Sequence, residues 1–188
     1  MYKRQLKGTL CTLPSSTQII SLNGKSFEEI CSEILKLGEQ LDAEKEAIQH
    51  VDKAITRRDK LDSLPKHSRK ILSLEWIDPY FSAGHWVPEQ IEIAGFRSAI
   101  GQRGEHSRVI SIEEIIESDP DDIAVICCGY KLHENEAFAE RLKNNKEINF
   151  LKPFKKNKIY SFDSDALFSR PTTRIIEGAE QLRKAVLG

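Results

Sequence analysis

Between Glu75 and Trp86 the chain reads Glu-Trp-Ile-Asp-Pro-Tyr-Phe-Ser-Ala-Gly-His-Trp, placing two Trp, one Tyr, one Phe, one His and two carboxylates within twelve residues of a chain that is 7% aromatic. A loop of this make-up offers flat apolar surface with a few polar groups, the composition of a small-molecule site. Tyr80, His85 and Trp86 lie near Gly84, where a backbone can approach a ligand closely. Trp76 and Phe81 either join them or pack beneath the loop. A second such segment is Asp163-Ser-Asp-Ala-Leu-Phe-Ser-Arg-Pro171. Asp163 follows a strand pattern directly, Asp165 and Phe168 lie inside the segment, and Arg170 stands next to a helix start that favours anions. The two Asp residues would serve equally well as turn caps. Cys128-Gly-Tyr130 ends a third strand pattern and adds Tyr130 to the same rim.

Catalytic and metal motifs do not accompany these residues. The sequence has no G-x-S-x-G, no phosphate-binding loop, no G-x-G-x-x-G and no H-E-x-x-H. His85 and Cys128 are the one pair from which a nucleophile and base could be drawn, and no spacing brings them together. Cys11, Cys31, Cys127 and Cys128 lack C-x-x-C or Cys/His spacing, so they read as four plain thiols, with no disulfide, metal or cofactor expected. Lys and Arg number 28 against 29 Asp and Glu, which excludes a nucleic-acid face built on excess positive charge. No apolar run approaches the roughly 18 residues of a membrane span. Met1 to Gly8 carries basic residues without an apolar core or cleavage site, so either the protein stays inside the cell or its true beginning is missing.

The elements that must position these residues follow from periodicity. Thr17 to Leu22 reads as a short strand, and Ser26-Phe-Glu-Glu29 as a helix cap. Phe27, Ile30, Ile34 and Leu37 keep helical spacing, and Gly38 is expected to end the helix. A helix without Gly or Pro then runs from about Leu41 to Pro65, on the order of 33 Å long. One of its stripes comprises Leu41, Ile48, Val51 and Ile55, which would favour self-association if left uncovered. A second comprises Ala47, Ala54 and Leu61. Beyond Pro65, strands at Lys70 to Glu75, Arg108 to Ile110, Ile123 to Cys128 and Lys158 to Phe162 alternate with helices. The helices are expected after Pro88, from Ser111, over Glu134 to Asn144 and after Pro171. The fully apolar third strand has the pattern of a parallel strand covered on both faces. Lys152 to Lys158 reads as a solvated connection. The whole is α/β with a mostly parallel sheet.

With Glu75 to Trp86 running into Val87-Pro-Glu-Gln-Ile-Glu-Ile-Ala-Gly95, the sequence resembles the substrate-binding proteins of ABC importers for vitamin B12 and ferric siderophores, and most of all the cobalamin-binding members. The capped helix at Ser26, Leu37-Gly38, Ser111-Ile-Glu-Glu114, the apolar strand before Cys127-Cys128, and Ser169-Arg-Pro-Thr-Thr-Arg174 occur in the family's order. The resemblance implies a periplasmic-binding-protein-like α/β fold of two lobes joined by a long helix. It assigns residues 1-40 to a remnant of the amino-terminal lobe, 41-65 to the connecting helix and 66-188 to a complete carboxy-terminal lobe. The opening residues then read as a remnant of a sequencing adapter on a truncated gene, and the full-length protein as periplasmic or anchored outside the membrane.

The same resemblance implies a non-catalytic binder of a metal chelate, a corrinoid before a haem or siderophore, with the transporter's membrane subunits as partners. Glu113 matches the carboxylate that the carboxy-terminal lobe offers to arginines on those subunits. Asp163 or Asp165 matches an acidic residue near the corrinoid. Where the family's corrinoid binder has a Trp ahead of Ser111, this chain has His106-Ser107-Arg108. Two other classes fit the residues: a cytosolic corrinoid binder without a transporter, and an α/β hydrolase or transferase using His85.

Overall fold

The computed structural model describes residues 18–188. Helix α1 (Phe27–Gln40) starts at Ser26, whose hydroxyl accepts the Glu29 N–H, and helix α2 (Glu44–Asp62) follows after a short break. Gly38 does not end α1. It lies inside the helix where α2 crosses, and a Cβ there would stand 2.5 Å from that of Ala47. The left-handed residue at the break is Asp42 (φ 53°). Thus α2 has 19 residues rather than a full run from Leu41 to Pro65, and Leu41 caps α1 as an exposed side chain. Of the expected stripe, Val51 is buried and Ile55 half-covered, while Leu41 and Ile48 face solvent. Ala47, Ala54 and Leu61 are buried as spaced. Residues 18–22 form no strand and are exposed; Thr17, Cys11 and the opening residues lie outside the described part.

A mixed sheet is built from β1 (Lys70–Ile77), β2 (Tyr80–Ser82), β3 (Arg97–Ser98), β4 (Arg108–Val109), β5 (Asp122–Val125) and β6 (Ile159–Ser161), in the order β4-β2-β1-β5-β6. Strands β1, β5 and β6 are parallel neighbours, as the apolar β5 pattern predicts. The amino end of β1 also pairs with β3, and its carboxyl end turns back through Asp78-Pro79 into antiparallel β2. The helices of this part are α3 (Val87–Ile93), α4 (Ile112–Ser118), α5 (Leu132–Lys143), α6 (Lys152–Lys155), α7 (Ser164–Leu167) and α8 (Ile175–Leu187). Residues 152–155 are therefore helical, with Leu151 and Pro153 buried against the core rather than solvated.

Alternation along the strands separates two apolar layers. Ile71, Ala124, Ile126 and Phe162 face α1, α2, α3 and α8. Leu72, Leu74, Ile123, Val125 and Cys127 face α4, α5 and the Ile148 to Leu151 turn. Helix α2 rests on α8, where His50 Nε2 lies 2.7 Å from the Thr173 hydroxyl and Arg57 makes two bonds to Glu180. The amino end of α1 is held by Glu89 of α3, a buried carboxylate that accepts the Phe27 N–H at 2.8 Å and pairs with Arg103.

Candidate functional site

The parallel strands end together on one rim, where open α/β sheets bind ligands. After β2, the chain passes through Gly84 against the loop that carries Glu105 to Ser107. A Cβ on Gly84 would stand 2.3 Å from the Ser107 nitrogen, so only glycine lets the two backbones meet. They are joined by bonds from His85 N–H to the Glu105 carbonyl (2.5 Å) and from Gly104 N–H to the His85 carbonyl (2.9 Å). His85 itself adopts φ 56°, a left-handed conformation that a residue with a Cβ holds only when its surroundings impose it. Its ring lies 5.1 Å from that of His106 and 5.8 Å from that of Trp86. Burial, then the nearby His106 and Lys25, lowers the His85 pKa. Beneath this loop, burial raises the Glu75 carboxyl against the opposing pull of the Ser107 hydroxyl and the Gly84 N–H, and that N–H donates to the Ser107 hydroxyl at 3.1 Å.

Trp86 precedes α3, half-buried, and its indole N–H donates to the Phe168 carbonyl at 3.1 Å. That bond ties the first loop to the Asp163 to Pro171 loop. Within the second loop, Asp163 caps α7 by accepting the Ala166 N–H at 3.0 Å. Asp165 pairs with Arg170 at 2.7 Å, and this guanidinium lowers the Asp165 pKa. The side chain of Phe168 does not reach the rim. It is 3% exposed and packs against Phe162 in the core with the rings tilted at 52°, which overturns its assignment to the ligand surface. An apolar ring at the end of a one-turn helix is buried more cheaply than it is solvated.

On the other face of the same rim, Trp76 and Tyr130 lie 5.6 Å apart, and both contact Phe138 of α5. The Trp76 indole donates to the Asp78 carbonyl at 2.7 Å. Glu75, Trp76, Phe81 and Cys128 line an open depression of about 340 Å³, in which Glu75 is the one ionisable oxygen donor. Tyr80 turns away from His85 and Trp86: Asn145, beyond the end of α5, donates to its hydroxyl at 2.6 Å. The residues singled out by sequence thus form one group around His85, Trp86 and the Asp163 loop and another around Trp76 and Tyr130, with Tyr80 outside both.

Three residues that sequence reasoning left out of the site hold this arrangement: Glu75, His106 and Asn135. Fully buried Asn135 accepts the Cys127 N–H (2.9 Å) and donates to the Phe162 carbonyl (2.9 Å) and the Tyr130 carbonyl (3.4 Å), bracing the ends of β5 and β6. The signal was its spacing, since Asn135, Ala139 and Leu142 share one helical face. Beside it, the Ser169 hydroxyl accepts the Gly129 N–H at 2.8 Å and lies 2.9 Å from that of Ser164. Glu113 is exposed in the first turn of α4, where its own N–H and the Ser111 hydroxyl lower its pKa. Among the described residues, no group of three or more His, Cys, Asp and Glu could hold a metal ion, and Cys31, Cys127 and Cys128 are free thiols.

Three solved structures share this architecture. One is a possible iron-binding (periplasmic solute-binding) protein from Staphylococcus epidermidis, 23% identical, with a TM-score of 0.77 over 92% of this chain and 67% of that one. Another is the periplasmic vitamin B12 binding protein of Vibrio cholerae, at 17% identity and a TM-score of 0.69 over 98% and 67%. The third is the periplasmic heme binding protein of Vibrio cholerae, at 17% identity and a TM-score of 0.73 over 87% and 65%. The chain spans about two thirds of the length of these structures. No curated protein matches the sequence significantly. A sequence profile described as periplasmic binding protein matches residues 10–166. With most of its length inside that profile and its strands and helices in the matching fold, the chain belongs to the periplasmic binding protein family.

Proposed function

We propose that the chain takes part in non-catalytic capture of a metal chelate, a corrinoid in the first instance, for delivery to an ABC importer. The observation that carries this reading is the rim itself. Trp76 and Tyr130 present aromatic surface beside Cys128 and the 340 Å³ depression, and His85 and Trp86 stand on the adjoining loop. Aromatic faces cover a large planar ligand while Glu75, His85, Asp163, Asp165 and Arg170 orient it. Among the structural relatives are a vitamin B12 binding protein, a heme binding protein and a possible iron-binding protein, which supports a metal-containing ligand. In this reading residues 66-188 are the carboxy-terminal lobe, 41-65 the connecting segment and 1-40 a remnant of the amino-terminal lobe, whose α1 packs on the carboxy-terminal core through Phe27, Ile30 and Cys31. Glu113 meets the transporter's membrane subunits, outside the cytoplasmic membrane. His106-Ser107-Arg108 favours a second ligand of the same class, a haem or ferric siderophore, because it replaces the Trp of the corrinoid binder.

A ligand enclosed by two lobes buries roughly 70–90% of its surface, and one lobe keeps about half of that contact. Each 1.4 kcal/mol lost is about tenfold in affinity, so residues 1-188 should bind micromolar rather than nanomolar. Trp76 and Trp86 report the test. Titration of this chain with cyanocobalamin, haemin and a ferric trihydroxamate should give saturable quenching with one of the three, weakened in Trp76→Leu. Absence of quenching with all three, or turnover of an ester or phosphate substrate lost on His85→Ala, would overturn the reading.

A further inference from the structure

We propose that His85 and His106 form a two-imidazole donor pair for a late first-row transition metal that has two adjacent exchangeable positions. The rings belong to loops separated by twenty residues and are held together by the paired backbone bonds of His85 with Gly104 and Glu105. Gly84 permits this contact, because any Cβ there would strike Ser107. The left-handed backbone of His85 then places its ring against His106 with centroids 5.1 Å apart and planes at 85°. Two imidazoles at metal–nitrogen distances of about 2.0–2.1 Å on a tetrahedral ion place their centroids roughly 5 Å apart, which is the spacing observed. His106 is exposed, whereas His85 is half-buried.

Imidazole is a fitting donor for copper, nickel and zinc, and a pair of donors leaves the remaining positions to water or to a chelator. The site therefore accepts either an aquated ion or the metal of an incomplete chelate. It does not depend on the importer reading, since it is tested with metals on this chain alone. Two tethered donors bind on the order of 10²-fold more tightly than either by itself.

The experiment titrates tag-free residues 1-188 with NiCl2, with nickel nitrilotriacetate, which leaves two adjacent positions open, and with nickel EDTA, which leaves none. Quenching of Trp86, whose ring lies 5.8 Å from that of His85, reports occupancy. Saturation by the first two probes and silence with the third is expected, with His85→Gln and His106→Gln each weakening binding by roughly 10²-fold and His133→Gln changing nothing. Saturation by NiCl2 alone would assign the pair to free ions. Copper EPR should show coupling to two imidazole nitrogens, reduced to one in His106→Gln. Binding unaltered by either substitution, or equal binding of nickel EDTA, would overturn the proposal, and neither result would touch the corrinoid and haemin titrations.

Discussion

The indole N–H of Trp86 donates to the Phe168 carbonyl at 3.1 Å, and this single bond spans 82 residues to join the two loops that flank the rim. Trp86→Phe keeps an aromatic ring but loses the donor. A net hydrogen bond is worth about 0.5–1.5 kcal/mol, and the denaturant midpoint should fall by the equivalent amount with an unchanged slope. An unaltered midpoint would show that the two loops hold their places without it.

Asn135 carries a larger share. Its replacement by Leu strands a buried N–H and two carbonyls at the ends of β5 and β6, each costing roughly 1–3 kcal/mol when left unsatisfied. Thermal unfolding should shift down by many degrees, and Asn135→Asp should restore only the bond from the Cys127 N–H. A midpoint within experimental error of wild type would contradict the bracing role.

Glu75 makes stability depend on pH. Burial raises its carboxyl above the ordinary glutamate range, so the folded state holds the proton more tightly than the unfolded chain. That contribution is complete below the unfolded pKa and is lost as pH rises through the folded one. Relative to wild type, Glu75→Gln should therefore gain stability in the window that opens as pH rises above the ordinary glutamate pKa of about 4.3. Parallel stability curves across that window would refute the assignment.

Thiol reactivity should divide by position. Burial pushes the Cys31 thiol up to about 11 and the Cys127 thiol up to about 12, while Cys128 is exposed. Alkylation of the native protein at pH 8 followed by peptide mapping should label Cys128 and leave Cys31 and Cys127 unmodified until denaturant is added. Equal labelling of Cys127 and Cys128 would contradict the burial of the β5 end.

Glu113 is exposed in the first turn of α4. If the chain serves an importer as proposed, Glu113→Lys should slow association with transporter membranes, most clearly at low salt, and leave ligand affinity unchanged. Lost ligand affinity with normal transporter binding would remove Glu113 from the docking role.

Much of this molecule is legible without coordinates because its helices repeat their apolar residues strictly. Ile175, Ile176, Ala179, Leu182 and Val186 are all buried on α8 as their spacing predicts, and the Ser111 capping box forms as written. Strands of two or three residues, such as β2 and β3, have too little length to show a period. Residue type also leaves direction open. Phe168 and Tyr80 sit in the right loops, yet one is drawn into the core and the other toward Asn145. The meeting of His85 with His106 depends on Gly84 and on a backbone pairing across twenty residues, which no local pattern encodes.

The fastening of α2 to α8 has a mechanical consequence. A rod pinned at one point swivels, whereas a rod pinned at two separated points turns only if one pin fails. His50–Thr173 and Arg57–Glu180 are such pins, about 10 Å apart along the helix axis. Val51, Ala54 and Leu61 seat the same helix in the core between and beyond them. Torque applied near Glu44 is thus delivered to α8 and the sheet as a whole instead of being absorbed in a joint, and the angle of α2 to the rim is set in advance.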